Sequence, residues 1–272
     1  TIVNLNFFLK KNKKNNIHLF IVEKKYNGLR EIADKLRCQV IEHKNFIGGR
    51  YSVLSEAGML PAALMGLKIN KFRNIKKLIK NKNFVSSLIK SVASIYTLNK
   101  RGLNNSVILN YNSSLNDFGS WYQQLVSESL GKKNKGINLI LSIAPKDHHS
   151  MLQLYLDGPK DKFFTFLNFL NKKNFKYKIS SKIIPKNMKY IKNRNVQSIV
   201  HAQFNATKKI FSLKKIPFRQ FIIKKKGEEE LGAMFTFFVL ETILLARLMK
   251  INPFDQPAVE QVKVETKKIL SN

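Results

Sequence analysis

Cysteine is nearly absent from this chain of 272 residues, which contains only Cys38. One cysteine cannot build an internal disulfide framework or the thiolate cluster of a structural zinc site. This usage is typical of a reducing compartment, so we expect a cytoplasmic protein. The start of the chain does not resemble a signal peptide, because the basic run Lys10–Lys14 follows only a short apolar stretch.

Acidic residues are also scarce, with 17 Asp and Glu against 49 Lys and Arg, which gives a net charge of +32. Such a balance can indicate a nucleic-acid or anionic-membrane partner. Here, however, the lysines are spread along the whole chain beside asparagines, and Lys, Asn, Ile and Phe are abundant together, as an AT-rich genome produces. We therefore expect no specific nucleic acid and no membrane as partners; some affinity for polyanions is the alternative reading.

Long uncharged apolar runs are missing as well. The best candidate is Leu231–Met249, but Glu241 lies near its centre and Arg247 near its end. A charged side chain in mid-bilayer costs about 2.5–3.5 kcal/mol on insertion scales. The segment is therefore predicted to be a buried core helix of a globular protein, in a chain whose hydrophobic content is 44%.

What the chain does contain is an alternation of short apolar runs and amphipathic segments, which predicts an α/β fold with parallel sheets flanked by helices. The first part is predicted to be strand, helix, strand, loop and helix, with strands over Ile17–Val22 and Gln39–Ile41. The later strands are predicted over Val107–Asn110, Asn138–Ile143, Phe163–Phe169 and Gln220–Ile223. We expect one helix over Leu54–Leu67, in which Pro61 begins a second segment.

This pattern divides the chain into four predicted segments. They are an incomplete first sheet domain over 1–68, a helical connection over 69–104, a second sheet domain over 105–225, and C-terminal helices over 226–272.

Two groups of residues combine types that suit sugar or proton chemistry. Gly48 and Gly49 let the backbone approach a ligand closely, and Arg50 follows with a fixed positive fork. Gln124 and Glu128 are four residues apart and share one face of a predicted helix. Glu128 lies near the C-terminal end of that helix, a position that suits a proton acceptor. Alone, each group is also compatible with ordinary turn or surface chemistry.

Two further groups follow later in the chain. His148 and His149 are adjacent, so on a helix they point about 100° apart and do not favour a shared metal; we predict no metal site and no cofactor. Near the end, Gln256 and Lys263 are seven residues apart on one predicted helix face, where both can reach one ligand.

Taken in order, these segments resemble the glucose-6-phosphate isomerase, or phosphoglucose isomerase, family in its bacterial form. The matching motifs are GGRYSxxSxxG (Gly48–Gly58), QxxxES with a following GK (Gln124–Lys132), HSxxQL (His149–Leu154) and FDQxAVExxK (Phe254–Lys263). The resemblance spans nearly the whole chain. Glu56 departs from the first motif, in which a small residue is usual.

The resemblance implies a fold of two sugar-isomerase sheet domains and a homodimeric enzyme that interconverts glucose 6-phosphate and fructose 6-phosphate through a cis-enediolate. It implies that Glu128 is the base that moves a proton between C2 and C1, and that Arg50 stabilises the enediolate. His149, supplied by the partner subunit, and Lys263 would assist ring opening. Gly49, Gln124 and Gln256 would contact the sugar, whereas no role is assigned to His148.

The resemblance also implies a Ser/Thr-rich phosphate loop before the first strand, and residues 1–16 contain none. We therefore expect the chain to begin just after that loop, with Thr1 as its last threonine, and to turn over slowly by itself. The alternatives are a bifunctional phosphoglucose/phosphomannose isomerase, a non-catalytic sugar-phosphate-binding regulator of the same fold, and a nucleic-acid-binding protein.

Overall fold

A computed structural model of the chain describes residues 2–11, 18–169, 177–180, 184–225 and 227–271. These residues form two compact units, Thr1–Asn74 and Ile75–Asn272. The division at Asn74 cuts the helical connection predicted over 69–104, so residues 69–74 belong to the first unit and the remainder belongs to the second. The predicted C-terminal helices also fall in the second unit.

The first unit contains a two-stranded parallel sheet. Its elements are α1 (Ile2–Lys11), β1 (Leu19–Glu23), α2 (Gly28–Lys35), β2 (Gln39–His43), a 3-10 helix (Gly49–Leu54), α3 (Glu56–Leu64) and α4 (Ile69–Phe72). The strands pair in parallel with Ile21 opposite Ile41, as predicted. The predicted first strand began at Ile17, which lies outside the described residues.

The single helix predicted over Leu54–Leu67 is wrong at its start. Ser55 has extended backbone angles, and its hydroxyl accepts a hydrogen bond from the backbone N–H of Ala57, so it ends the 3-10 helix and caps α3. Pro61 lies inside α3 instead of beginning a new segment. Only one backbone donor is lost there, and the helix ends three residues later.

The second unit contains a four-stranded sheet, entirely parallel, in the order β4-β3-β5-β6. Its elements are α5 (Ile75–Lys80), α6 (Lys82–Lys100), β3 (Asn105–Asn110), a 3-10 helix (Ser113–Leu115), α7 (Asn116–Leu130), β4 (Asn138–Ile143), α8 (Lys146–Ser150), α9 (Leu152–Asp157), β5 (Lys162–Phe169), a 3-10 helix (Lys186–Ile191), α10 (Val196–Leu213), β6 (Phe218–Ile223), α11 (Glu228–Leu248) and α12 (Pro257–Ser271). The predicted α/β class with parallel sheets is confirmed. β6 begins two residues earlier than predicted, because Phe218 pairs with Phe164.

Helices cover both faces of this sheet, so the central strands β3 and β5 are buried along almost their whole length. On one face, aromatic side chains of α10 pack on the strands, with Phe164 and Phe211 in edge contact. On the other face lie α6, α7 and α11. A Cβ atom at Gly119 of α7 would lie 2.6 Å from a terminal methyl group of Leu141, so a larger residue there would require the Leu141 side chain to shift.

The apolar segment around Glu241 forms the helix α11. It is long and apolar enough to cross a membrane by length and composition, but more than half of its most apolar window is buried inside the protein. Glu241 itself is fully buried and accepts hydrogen bonds from Tyr122 and Ser91. These contacts agree with the predicted core helix.

Candidate active site

The loop that carries Arg50 follows β2 and is held by contacts within the first unit. The His43 ring bridges two segments, with Nδ1 2.6 Å from Glu56 Oε1 and Nε2 2.9 Å from the Ile47 carbonyl oxygen. Glu56 also accepts the backbone N–H of Lys44. The N–H of Glu56 itself, and then the His43 ring, hold the pKa of this carboxyl below its ordinary value. Glu56, which departs from the family motif, therefore closes the base of the loop.

Within this loop the predicted residues occupy contrasting environments. Gly49 is exposed, and a Cβ atom added to it would meet no other described residue within 4 Å. Arg50 is 2% exposed, with its guanidinium 5.2 Å from the centre of the Tyr51 ring. Gly58 closes the motif for a steric reason, because a Cβ atom there would lie 2.1 Å from the Val53 carbonyl oxygen. The motif thus fixes a buried cation next to an open stretch of backbone.

The predicted shared face on α7 is present. The Gln124 amide Nε2 also donates to Glu128 Oε1 at 2.9 Å, a contact that their spacing of four residues allows. Gln124 is exposed and Glu128 is partly exposed. The helix ends directly afterwards at Gly131, whose N–H donates to the Ser127 carbonyl oxygen. Gln124 therefore orients the carboxylate of a residue that is partly exposed to solvent.

Lys132 connects the end of α7 to the segment before α12. Its ammonium donates to the carbonyl oxygens of Asn252 and Asp255 and to Asp255 Oδ1, all within 2.7 Å. Gln256 follows this turn directly and is partly exposed. The structure therefore brings the motif that contains Gln256 to the helix end that carries Glu128, although 123 residues separate Lys132 from Asp255.

Lys263 lies on α12, a helix with no buried side chain. Its ammonium is exposed and donates to Glu260 Oε1 at 2.6 Å. The structure places Lys263 on the helix into which Gln256 leads, but it shows no contact between the two side chains.

The two adjacent histidines of α8 differ in environment. His148 packs against Tyr111, whose hydroxyl lies 2.7 Å from His148 Nε2, and burial lowers the pKa of His148. His149 is exposed. Asp147 fixes the start of α8 by accepting from the backbone N–H of Ile143 at 2.7 Å. His148 therefore has a packing role, and His149 is the member of the pair that faces solvent.

Glu128 and His149 lie beyond opposite ends of strand β4. Helix α7 connects the parallel neighbours β3 and β4, so it runs antiparallel to both. Glu128 is in its last turn, before β4 begins, whereas His149 comes after β4 has ended. Six residues of strand span roughly 17 Å at about 3.3 Å per residue. Within one copy of the chain, the strand length separates the two side chains.

Sequence reasoning missed three residues that shape these loops. His43 gave no signal, and Glu56 was noticed only as a departure from the motif. Lys132 was part of a motif but had no assigned function, because one lysine among 49 basic residues is not informative. No group of three or more His, Cys, Asp or Glu side chains suited to a metal occurs in the part of the chain that the structure describes.

Comparison with known proteins gives a consistent result. The model of the family described as phosphoglucose isomerase matches residues 32–272. A glucose-6-phosphate isomerase of Methanocaldococcus jannaschii is 33% identical over 242 residues, covering 86% of this chain and 59% of the relative. A probable glucose-6-phosphate isomerase of Methanococcus maripaludis is 33% identical, covering 95% of this chain and 60% of the relative. The chain thus spans about three-fifths of the length of these relatives.

Solved structures show the same fold. A hypothetical protein of Thermus thermophilus matches with a TM-score of 0.86 at 24% identity, covering all of this chain and 68% of that one. A glucose-6-phosphate isomerase of Chlamydia trachomatis matches with a TM-score of 0.78 at 18% identity, covering 99% of this chain and 56% of that one. The family model, the relatives and the fold agree, and the chain belongs to the phosphoglucose isomerase family.

Proposed function

We propose that this chain supplies the proton-transfer machinery of a glucose-6-phosphate isomerase, which interconverts glucose 6-phosphate and fructose 6-phosphate through a cis-enediolate. The observation that carries the proposal is the state of Glu128. Its carboxylate is held by Gln124 at 2.9 Å while remaining partly exposed, so it is fixed in direction and open to a substrate. A base that takes a proton from C2 and returns it to C1 needs both properties.

The other residues supply what the proton transfer requires. Arg50 provides a permanent positive charge in a buried position, where its attraction for a developing enediolate is strong. Gly49 offers an open backbone for the sugar, and Gln124 and Gln256 position it. His149 and Lys263 assist ring opening. In this proposal the C-terminal helices of 226–272 complete the site.

We further propose that the working form is a cytoplasmic homodimer in which His149 acts in the site of the partner subunit. The support is the topology of the second unit, which separates Glu128 and His149 of one copy by the length of β4. A second copy of the chain related by two-fold symmetry can bring the two groups together, since each copy then contributes to both sites.

A coupled assay of fructose 6-phosphate formation from glucose 6-phosphate tests the reaction. It should be run on these 272 residues and on the complete open reading frame that contains them. Turnover by the complete protein supports the proposal; ligand binding without turnover would favour a regulator. Mannose 6-phosphate in the same assay separates a bifunctional enzyme from a monofunctional one.

Mixing two inactive variants tests the sharing of sites. In mixed dimers of Glu128→Gln and His149→Ala, one site contains both wild-type groups only if His149 acts across the interface. Random exchange then restores about a quarter of the wild-type activity, because about half of the dimers are mixed and each has one intact site. No recovery in dimers shown to be mixed would contradict action in the partner's site.

A further inference from the structure

Lys132 differs from most lysines of this very basic chain in being largely buried. Its side chain is 12% exposed, whereas the ion-paired side chains of Lys77 and Lys263 are 71% and 61% exposed. Burying an ammonium group is costly unless its donors are all satisfied. A lysine in such a position therefore serves a contact, and its burial is not explained by the composition of the chain.

The contact saturates the ammonium group. Its three donors face three acceptors, namely the carbonyl oxygens of Asn252 and Asp255 and the Asp255 carboxylate. Asn252 also stabilises the turn from within, since its side chain accepts the N–H of Phe254 and donates to Asp255 Oδ2. Two backbone carbonyls that converge on one cation define the shape of the turn, and they lose that partner if the cation is removed.

The Asn252–Asp255 turn also determines the position of the residues that follow it. It leads directly into Gln256 and then into α12, none of whose side chains is buried. Packing of α12 therefore contributes little to where Gln256 lies. The hydrogen bond from Lys132 also holds the pKa of Asp255 below its ordinary value, as expected where the ammonium group favours the charged carboxylate.

We propose that Lys132 is a positioning residue of the active site, whose ammonium fixes the Asn252–Asp255 turn and thereby sets Gln256 beside the helix end that carries Glu128. The proposal rests on the isomerase function proposed above, because that function makes Gln256 a substrate contact. It assigns to Lys132 no contact with substrate.

The test compares Lys132→Met with Lys132→Arg and with the control Lys135→Met. Lys135 lies in the same loop, but its ammonium donates to the Met249 carbonyl oxygen at 3.1 Å and not to the turn. Two readouts are made on the complete protein, namely kcat and KM for glucose 6-phosphate and amide hydrogen exchange of peptides covering 250–262.

We expect Lys132→Met to speed exchange in 250–262 and to lower kcat/KM roughly tenfold to a hundredfold, the scale on which a misplaced group acts. Much of the loss should be in KM, and the pH profile of kcat should keep its shape, because Glu128 is unchanged. Lys132→Arg should recover part of the loss, and Lys135→Met should resemble the wild type. Unchanged exchange and unchanged kcat/KM in Lys132→Met would overturn the proposal.

If Lys132→Met does not fold, Asp255→Asn replaces it, since it weakens the same contact and leaves both carbonyl acceptors in place. Faster exchange in 250–262 is then expected, and wild-type exchange would overturn the proposal. The exchange readout does not depend on catalysis. If the wild type does not turn over glucose 6-phosphate but Lys132→Met exchanges faster in 250–262, only the proposed function is rejected. If the wild type is active but Lys132→Met has unchanged exchange and unchanged kcat/KM, only the positioning role is rejected.

Discussion

Helix α7 contacts two glutamate side chains, Glu241 and Glu128, whose exposure to solvent differs. In its second turn, Tyr122 reaches Glu241 of α11, which is fully buried and also accepts from Ser91 and Arg219. In its last turn, Glu128 is partly exposed and is held by Gln124. The first carboxylate is enclosed by donors that stabilise its charge, and the second can meet a substrate. Residue type alone does not distinguish these two carboxylates; exposure to solvent does.

The electrostatics of the enclosed region agree with this contrast. Burial lowers the pKa of the Arg219 guanidinium, but the charges of Glu241 and Tyr122 and the hydrogen bonds to both together outweigh burial, so the pKa is raised. Burial, and then the charge of Glu241, also raise the pKa of Tyr122 far above its ordinary value. Arg219 therefore stays charged and Tyr122 stays neutral across the physiological range, which suits a structural role and not proton transfer.

The largest effect on stability is expected from Glu241→Gln. Glutamine keeps the shape but leaves the Arg219 charge buried without its counter-charge, so the free energy of unfolding should fall by about 3–5 kcal/mol. Urea unfolding of the wild type and the variant measures this difference in the free energy of unfolding. The matched control is Glu229→Gln on the same helix, where the carboxylate is exposed and pairs with Lys77 at 3.0 Å; it should change stability by no more than about 0.5 kcal/mol. Equal decreases in the free energy of unfolding of the two variants would show that the buried pair of Glu241 with Arg219 does not stabilise the protein more than a surface pair.

A smaller effect is expected from Tyr122→Phe, which removes one donor to the Glu241 carboxylate. The free energy of unfolding should fall by about 1.5–3 kcal/mol, the range for hydrogen bonds to charged groups. Tyr155→Phe is the control, because the Tyr155 hydroxyl is buried without a hydrogen-bond partner among the described residues. It should be neutral or slightly stabilising. A greater loss from Tyr155→Phe than from Tyr122→Phe would contradict the assignment.

The smallest effect concerns Glu56, whose environment lies between the two extremes, with 28% of its side chain exposed. Its pKa is lowered in the folded state, so its stabilisation of the Arg50 loop is complete above the ordinary value of 4.5 and is lost as the pH falls through the lower folded value. Amide exchange of peptides covering 44–58, corrected for the intrinsic effect of pH, should therefore rise below about pH 4.5.

Glu56→Gln should remove this acid-dependent step and loosen the loop by about 1 kcal/mol at neutral pH. Glu42→Gln is the control, because that exposed carboxylate pairs with Lys44 at the surface. An acid step that persists in Glu56→Gln would place its origin elsewhere.

The sequence predicted what depends on local pattern. The apolar run of β5 predicted a strand, and the spacing of Gln124 and Glu128 predicted that both lie on one helix face. The sequence did not predict what depends on residues far apart in the chain, such as the contact of Lys132 with Asp255 or the burial of Arg219 against Glu241. The sequence also did not predict the cap at Ser55. There, a hydrogen bond between a side-chain hydroxyl and the backbone separates the 3-10 helix from α3.

The central claim is that Glu128 transfers the proton, and exchange at C2 tests it most directly. Glucose 6-phosphate is incubated in heavy water with the complete protein, and loss of the C2 proton signal is followed by NMR. The account predicts rapid exchange for the wild type and for the control Asp117→Asn, an exposed carboxylate on the same helix. For Glu128→Gln it predicts a loss of about four orders of magnitude, at the upper end of acid–base catalysis, with unfolding free energy unchanged within about 0.5 kcal/mol. Exchange at the wild-type rate in a folded Glu128→Gln variant would contradict it.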